Sequence, residues 1–127
     1  MIGILLITHG SLGESLIQCA NHVLGGETEN IAQMGINGSD SLEAAGQKAE
    51  RIIEEIDTGS GVIVLTDMFG GSPSNITQKL LSKNVIGISG INLPMLIRVL
   101  NYRGLELEQA VEKAVSGGVD GVMRIPN

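Results

Sequence analysis

Apolar residues along this chain follow two patterns, short unbroken runs and longer stretches with helical spacing, and the two alternate. The first run, Ile2–Ile7, contains one glycine and leads straight into Thr8-His9-Gly10-Ser11. A short, isoleucine-rich run closed by glycine suits a strand buried on both faces. From Ser11 to about Leu24 the spacing changes. Leu12, Leu16, Cys19, Ala20 and Val23 recur every three or four residues until Gly25-Gly26 stops them, which predicts a helix. Asn30–Gly35 is a brief strand candidate interrupted by Gln33. Asn37-Gly38-Ser39-Asp40 marks a turn and helix start, with Asp40 and Glu43 at capping-box spacing. Leu42, Ala45, Ala49, Ile52, Ile53 and Ile56 then trace one helix face, ended by Asp57–Gly61.

The second half repeats the alternation. Val62–Leu65 is a fully apolar run ending at Thr66-Asp67. The loop Met68–Gly71 leads to Ser72-Pro73, which suit the N-cap and first position of a helix running to about Lys83. Val85–Ser89 reads as another parallel strand. Asn92 or Leu93, before Pro94, opens a helix to about Tyr102. Leu107, Ala110, Val111, Ala114 and Val115 mark a last helix, which Gly117-Gly118 is expected to end. Gly121–Ile125 is a candidate short edge strand, and Pro126 stops it.

Strands alternating with helices predict an α/β fold, a doubly wound three-layer sandwich built as one domain over residues 1–127. Right-handed crossovers and a strand order such as 2-1-3-4 make four parallel strands and set the first beside the third. Their connections leave in opposite directions and open a crevice at the carboxyl edge. His9 ends the first strand and Asp67 the third, so this topology brings them together.

Composition narrows the function. No apolar run approaches the ~18 residues of a spanning helix. The opening stretch has no basic region and is cut short by Thr8-His9, so it is not a secretory signal. A cytoplasmic protein without direct membrane insertion is expected. Eight Lys and Arg against fourteen Asp and Glu give a net charge of −6, with one Tyr, one Phe and no Trp, which argues against a nucleic-acid partner. Cys19, the single cysteine, is expected to be a small core residue.

An imidazole beside a carboxylate makes a nucleophile. The carboxylate accepts from one ring N–H, fixes the tautomer and leaves the other nitrogen's lone pair free. Gly10 and Ser11, and Gly70, Gly71 and Ser72, lie at two helix starts, where free N–H groups and the helix dipole favour a phosphate. No Walker Gly-Lys-Ser/Thr and no dinucleotide fingerprint accompany them, so no nucleotide cofactor is expected. Two histidines and one cysteine without ligand spacing make no metal site. His22 fits a solvated place in the last turn of its helix. Read singly, His9 caps a sheet edge, Asp67 is a turn acid and Gly70-Gly71 punctuates a loop. Only their joint placement favours a phosphate-handling nucleophile.

At these residues the chain resembles a known family. Gly3–Gly10 ending in Thr-His-Gly, the stretch Asp67–Asn75 with its Gly-Gly-Ser-Pro-x-Asn loop, and Gly90–Leu96 with Asn-Leu-Pro are similar, in order, to the mannose-family IIA component of the bacterial phosphoenolpyruvate-dependent sugar phosphotransferase system. The resemblance covers nearly the whole chain. It implies a phosphotransferase with a covalent phosphohistidine: the carrier HPr donates to His9 at Nε2, and a IIB component accepts, for sugar uptake. It implies Asp67 as ring-orienting partner, with Ser72 and the nearby backbone holding the phosphoryl oxygens. It also implies an antiparallel edge strand, matched here by Gly121–Ile125, exchanged in a homodimer. Many relatives continue through a linker into a IIB domain. This chain stops at Asn127, so a stand-alone IIA with an acceptor on another chain is expected. The alternatives are a regulatory phospho-switch without a transport partner and a histidine phosphatase. The latter class has Arg before His-Gly, where this chain has Thr8.

Overall fold

A computed structural model of the chain describes all 127 residues. The elements run β1 (Gly3–His9), α1 (Leu12–Leu24), β2 (Ile31–Ile36), α2 (Leu42–Ile56), β3 (Val62–Thr66), α3 (Ser72–Leu80), β4 (Val85–Ser89), α4 (Leu93–Asn101) and α5 (Leu107–Asp120). The strands form one all-parallel sheet in the order β2-β1-β3-β4, as the alternating pattern predicts. β1 and β3 occupy the centre, with a strand on each side and helices over both faces. That is why their sequences are unbroken apolar runs rather than alternating ones.

Side chains of a strand point alternately to opposite faces, and here they divide between two cores. Ile4 and Leu6 of β1 and Ile63 and Leu65 of β3 pack with Ile2 against Ala20 of α1, Leu96 and Val99 of α4, and Ala110 and Ala114 of α5. Leu5, Ile7, Val62 and Val64 pack on the other face against Ala45 and Ala49 of α2 and Ile76 and Leu80 of α3. Each such buried Leu or Ile contributes about 1.5–3 kcal/mol. At the amino edge of the sheet, the buried Arg103, in the α4–α5 connection, ties three segments together. Its guanidinium donates to the carbonyls of Ile2 (2.9 Å), Glu29 (2.6 Å) and Asn30 (2.7 Å).

Several expectations are corrected. Cys19 is exposed, as are Leu12 and Val23. α1 is turned so that Gly13 and Ala20 are its buried residues, because the small residues let the helix lie close on the sheet. The N-cap of α2 is Ser41, whose hydroxyl accepts from the Ala44 N–H at 3.2 Å, while Asp40 instead accepts from the Asn37 N–H at 2.7 Å. α3 starts one residue early, at Ser72 after an N-cap at Gly71. It stops at Leu80, where Leu81 turns extended and lays its side chain over Gly87 of β4. Gly117 and Gly118 do not end α5; they lie within it and seat it on α4. A Cβ on Gly117 would stand 2.6 Å from the Cβ of Arg98, and one on Gly118 2.8 Å from the Cε of Met95. These glycines mark close helix contact rather than a helix end.

The edge strand expected at Gly121–Ile125 is not formed. A strand needs a ladder partner, and from Met123 onward no backbone hydrogen bond is made. Val122, Met123 and Ile125 are 76%, 68% and 84% exposed, so these apolar side chains are left mostly uncovered by their own chain.

Candidate functional site

The carboxyl edge of the sheet carries the candidate chemistry because β1 and β3 both end there. β1 closes with Thr8, His9 and Gly10. Thr8 is fully buried, and its Oγ1 accepts from the Gly13 N–H at 2.8 Å, so the end of the strand anchors the first turn of α1. Gly10 takes a left-handed φ of 53° while its N–H donates to the Ile36 carbonyl at 3.0 Å. This sharp turn lets the chain leave the sheet directly after His9, which is left half exposed.

Asp67, the first residue after β3, meets His9 twice with one oxygen. Its Oδ2 accepts from the His9 backbone N–H at 3.0 Å and lies 2.8 Å from His9 Nδ1. The side chain is only 13% exposed, and Oδ1 is buried and accepts no hydrogen bond. Burial pulls the carboxyl upward in pKa. The bonds from the His9 backbone and ring, the nearness of its own backbone N–H, and the charge of the ring outweigh burial and hold it below the usual carboxylate range. An ionised carboxylate only accepts, so Nδ1 carries the proton. In the neutral ring the lone pair is then on Nε2.

Nε2 faces the start of α3. Gly71, the N-cap of that helix, has φ 91°, a value that favours glycine. A Cβ at Gly71 would come within 3.4 Å of Nε2 and 3.5 Å of Cε1. The backbone thus approaches Nε2 at the place a side chain would fill. No side chain caps α3, and Pro73 removes one of its N–H donors where none is needed for a ladder. The amides of Gly71, Ser72 and Ser74 have no acceptor within the protein, nor do those of Ser11 and Leu12 at the start of α1. Free amides at two helix starts are suited to an anion.

The structure therefore brings together His9, Asp67 and Gly71, with Gly70 and Ser72 flanking Gly71 and with Gly10 and Ser11 following His9. The hydroxyls of Ser11 and Ser72 cap neither helix. His22 lies in the last turn of α1, at the other end of that helix from His9. Two positioning features escaped the motif reading. Thr8 is a buried polar residue at a strand end, which is itself a sequence signal for a side-chain cap. Gly35 of β2 faces the turn after His9, and a Cβ there would overlap the Gly10 carbonyl. A glycine inside a strand pattern marks such close backbone approach.

None of the clefts is lined by His9 or Asp67. One of about 380 Å³ lies between α2 and α3, and a shallower one of about 640 Å³ lies along α4. Small-molecule sites are concave and bury most of the ligand. His9 instead stands half exposed on an open surface.

The comparisons with known proteins point the same way. A family model described as EIIA-man, PTS system fructose IIA component, matches residues 3–115. The PTS system mannose-specific EIIAB component of Escherichia coli (strain K12) is 32% identical over 125 residues, 95% of this chain and 38% of that protein. The chain thus spans well under half the length of that relative. The PTS system fructose-specific EIIA component of Bacillus subtilis (strain 168) is 27% identical over 105 residues, 81% of this chain and 71% of that one. Among solved structures, the mannose/sorbose specific IIA subunit of the phosphotransferase system from Enterococcus faecalis superposes with a TM-score of 0.88, covering 99% of this chain and 96% of that one at 22% identity.

Proposed function

The chain belongs to the mannose-family IIA components of the bacterial sugar phosphotransferase system, and from that premise we propose that it is a phosphocarrier that takes a phosphoryl group on His9 Nε2 from phospho-HPr and passes it to a IIB component. Residues 1–127 form one phosphocarrier domain in this reading. The observation that carries it is the 2.8 Å contact of His9 Nδ1 with Asp67 Oδ2, together with the approach of Gly71 to the opposite ring nitrogen.

The chemistry follows from that arrangement. The Nε2 lone pair attacks phosphorus while the P–N bond of the donor phosphohistidine breaks, and the leaving nitrogen keeps the electron pair. Nδ1 retains its proton throughout. The ring gains positive charge as the new P–N bond forms, and the Asp67 carboxylate faces that charge. Catalysis of this kind is positioning plus electrostatic stabilisation. The amides of Gly71, Ser72, Ser74, Ser11 and Leu12 and the Ser72 hydroxyl are the donors for the phosphoryl oxygens, and Gly10 and Gly70 let the two turns close on them. Transfer onward to IIB reverses the same step.

The tail supports a homodimer. Val122, Met123 and Ile125 are exposed apolar residues that would be covered if two chains exchange Gly121–Ile125 as an edge strand. Light scattering should give a dimer mass, and deletion of Gly121–Asn127 should give a monomer; a full-length monomer at micromolar concentration contradicts this part.

The relay is tested by incubating the protein with phosphoenolpyruvate, enzyme I and HPr. One phosphoryl group per chain is expected, stable in base, labile in acid, and lost on addition of a IIB protein. A label that is acid-stable, or that appears without HPr at the same rate, contradicts the relay.

A further inference from the structure

Asn37-Gly38, in the turn between β2 and α2, is the one place in the chain where an asparagine precedes a glycine. Both residues are exposed. Two bonds to Asp40 hold the Asn37 backbone: the Asn37 N–H donates to Asp40 Oδ2 at 2.7 Å, and the Asp40 N–H donates to the Asn37 carbonyl at 3.0 Å. The Asn37 side-chain amide and the Gly38 N–H make no hydrogen bond within the protein. A Cβ added at Gly38 would meet nothing within 4 Å. A free amide group and an unengaged peptide nitrogen therefore stand next to each other in open space.

Comparable pairs elsewhere are closed. Asn30, Asn75, Asn84 and Asn92 precede isoleucine, valine or leucine, whose side chains crowd the following nitrogen. The Asn30 and Asn92 amides also donate to the carbonyls of Ile56 (2.6 Å) and Gly118 (3.0 Å). At Asp120-Gly121 the carboxylate accepts from Arg98 at 3.3 Å and the Gly121 N–H donates to the Gly117 carbonyl at 3.0 Å.

We propose that Asn37 is a site of spontaneous covalent modification, deamidation through a cyclic imide. Asparagine is among the thermolabile residues, and a following glycine has no Cβ to obstruct ring closure. The Gly38 nitrogen loses its proton and attacks Asn37 Cγ. The new N–Cγ bond closes a five-membered imide, the Cγ–Nδ2 bond breaks, and the nitrogen leaves as ammonia with a proton returned from solvent. Water then opens the imide on either side. Opening at Cγ gives aspartate with the normal backbone; opening at the main-chain carbonyl gives isoaspartate, whose backbone runs through the former side chain and is one methylene longer. Water is the only co-reactant, and nothing is oxidised or reduced. Either product makes the chain more negative by one charge. The place of the change gives it a consequence. Ile36, just before Asn37, pairs with His9 in the sheet and accepts from the Gly10 N–H at 3.0 Å. A new carboxylate, and in isoaspartate a longer connection to the Ser41 N-cap, thus arise one residue from the partner of His9. The proposal does not rest on the phosphocarrier reading.

The test is to hold the purified full chain at mildly alkaline pH, with Gly38→Ala and a free peptide spanning residues 34–41 beside it. Conversion is followed by isoelectric focusing, peptide mapping by mass spectrometry, and methyl transfer to isoaspartate by an isoaspartyl methyltransferase. Asn37 should convert before any other asparagine, to both products, several-fold slower than the free peptide at most, and more slowly at mildly acidic pH, where the attacking nitrogen keeps its proton. Gly38→Ala should keep the circular dichroism spectrum and slow conversion several-fold. If Asn37 converts no faster than the other asparagines, or if Gly38→Ala matches wild type, the proposal is overturned. Rapid conversion of the peptide with none in the folded chain also overturns it, since the turn would then protect the pair.

Discussion

One carboxylate oxygen, Asp67 Oδ2, holds both the backbone and the ring of His9. Replacing Asp67 by Asn changes the acceptor little in size but offers the ring an amide that can donate as well as accept. The tautomer is then no longer set, and the positive charge on a phosphorylating ring loses its counterpart. Asp67→Asn should keep the fold and slow transfer about 10²-fold or more, measured as the rate of His9 labelling; a wild-type rate contradicts the pairing. Linkage gives a second prediction at the same atom. Asp67 has a folded pKa below its unfolded value, so its contribution to stability is complete above the unfolded pKa of about 3.9 and is lost as pH falls through the folded value. Acid titration of unfolding should therefore be shallower below about pH 4 for Asp67→Asn than for wild type. Gly71→Val places a branched side chain on a φ of 91° within van der Waals reach of Nε2. Labelling should fall sharply while the circular dichroism spectrum is kept. A fully labelled Gly71→Val would mean that the space beside Nε2 is not used.

The elements were legible in the sequence to different degrees, and for physical reasons. β1 and β3 announce themselves because a central parallel strand is covered on both faces and carries nothing polar until its end. That is also why His9 and Asp67 could be placed at one edge without coordinates. β2 is weaker, since an outer strand with Gln33 only partly buried tolerates a polar residue. Helix faces misled where size, not hydrophobicity, set the contact. α1 lies on the sheet through Gly13 and Ala20, and Leu12, Cys19 and Val23 are left outside. α5 runs through Gly117 and Gly118 because α4 lies against them. Gly117→Leu should thus force the two helices apart and destabilise the protein by about 1–3 kcal/mol, read from the urea midpoint. An unchanged midpoint would show that the glycine is there for another reason. The tail was the other miss: an apolar pattern predicts burial, but Val122, Met123 and Ile125 are exposed in this chain.

At the scale of the whole molecule, the two cores cover opposite faces of one sheet, the candidate site lies at its carboxyl edge, and different residues hold its two ends. Arg103 binds the amino edge by three charge-assisted bonds to carbonyls far from it in sequence, a role that no local pattern reveals. Such bonds contribute about 1.5–3 kcal/mol each, and without Arg103 the buried Ile2 carbonyl loses this donor. Arg103→Met should lower stability by several kcal/mol without touching the carboxyl edge, so the variant that remains folded should still be labelled at His9. The carboxyl edge, in contrast, presents an open ring, free amides and exposed apolar side chains. The whole account depends on the phosphoryl group residing on His9. The direct measurement is stoichiometric labelling from phosphoenolpyruvate, enzyme I and HPr in wild type, His9→Ala and His22→Ala. The account predicts one phosphoryl group on wild type and on His22→Ala, and none on His9→Ala. Full labelling of His9→Ala contradicts it.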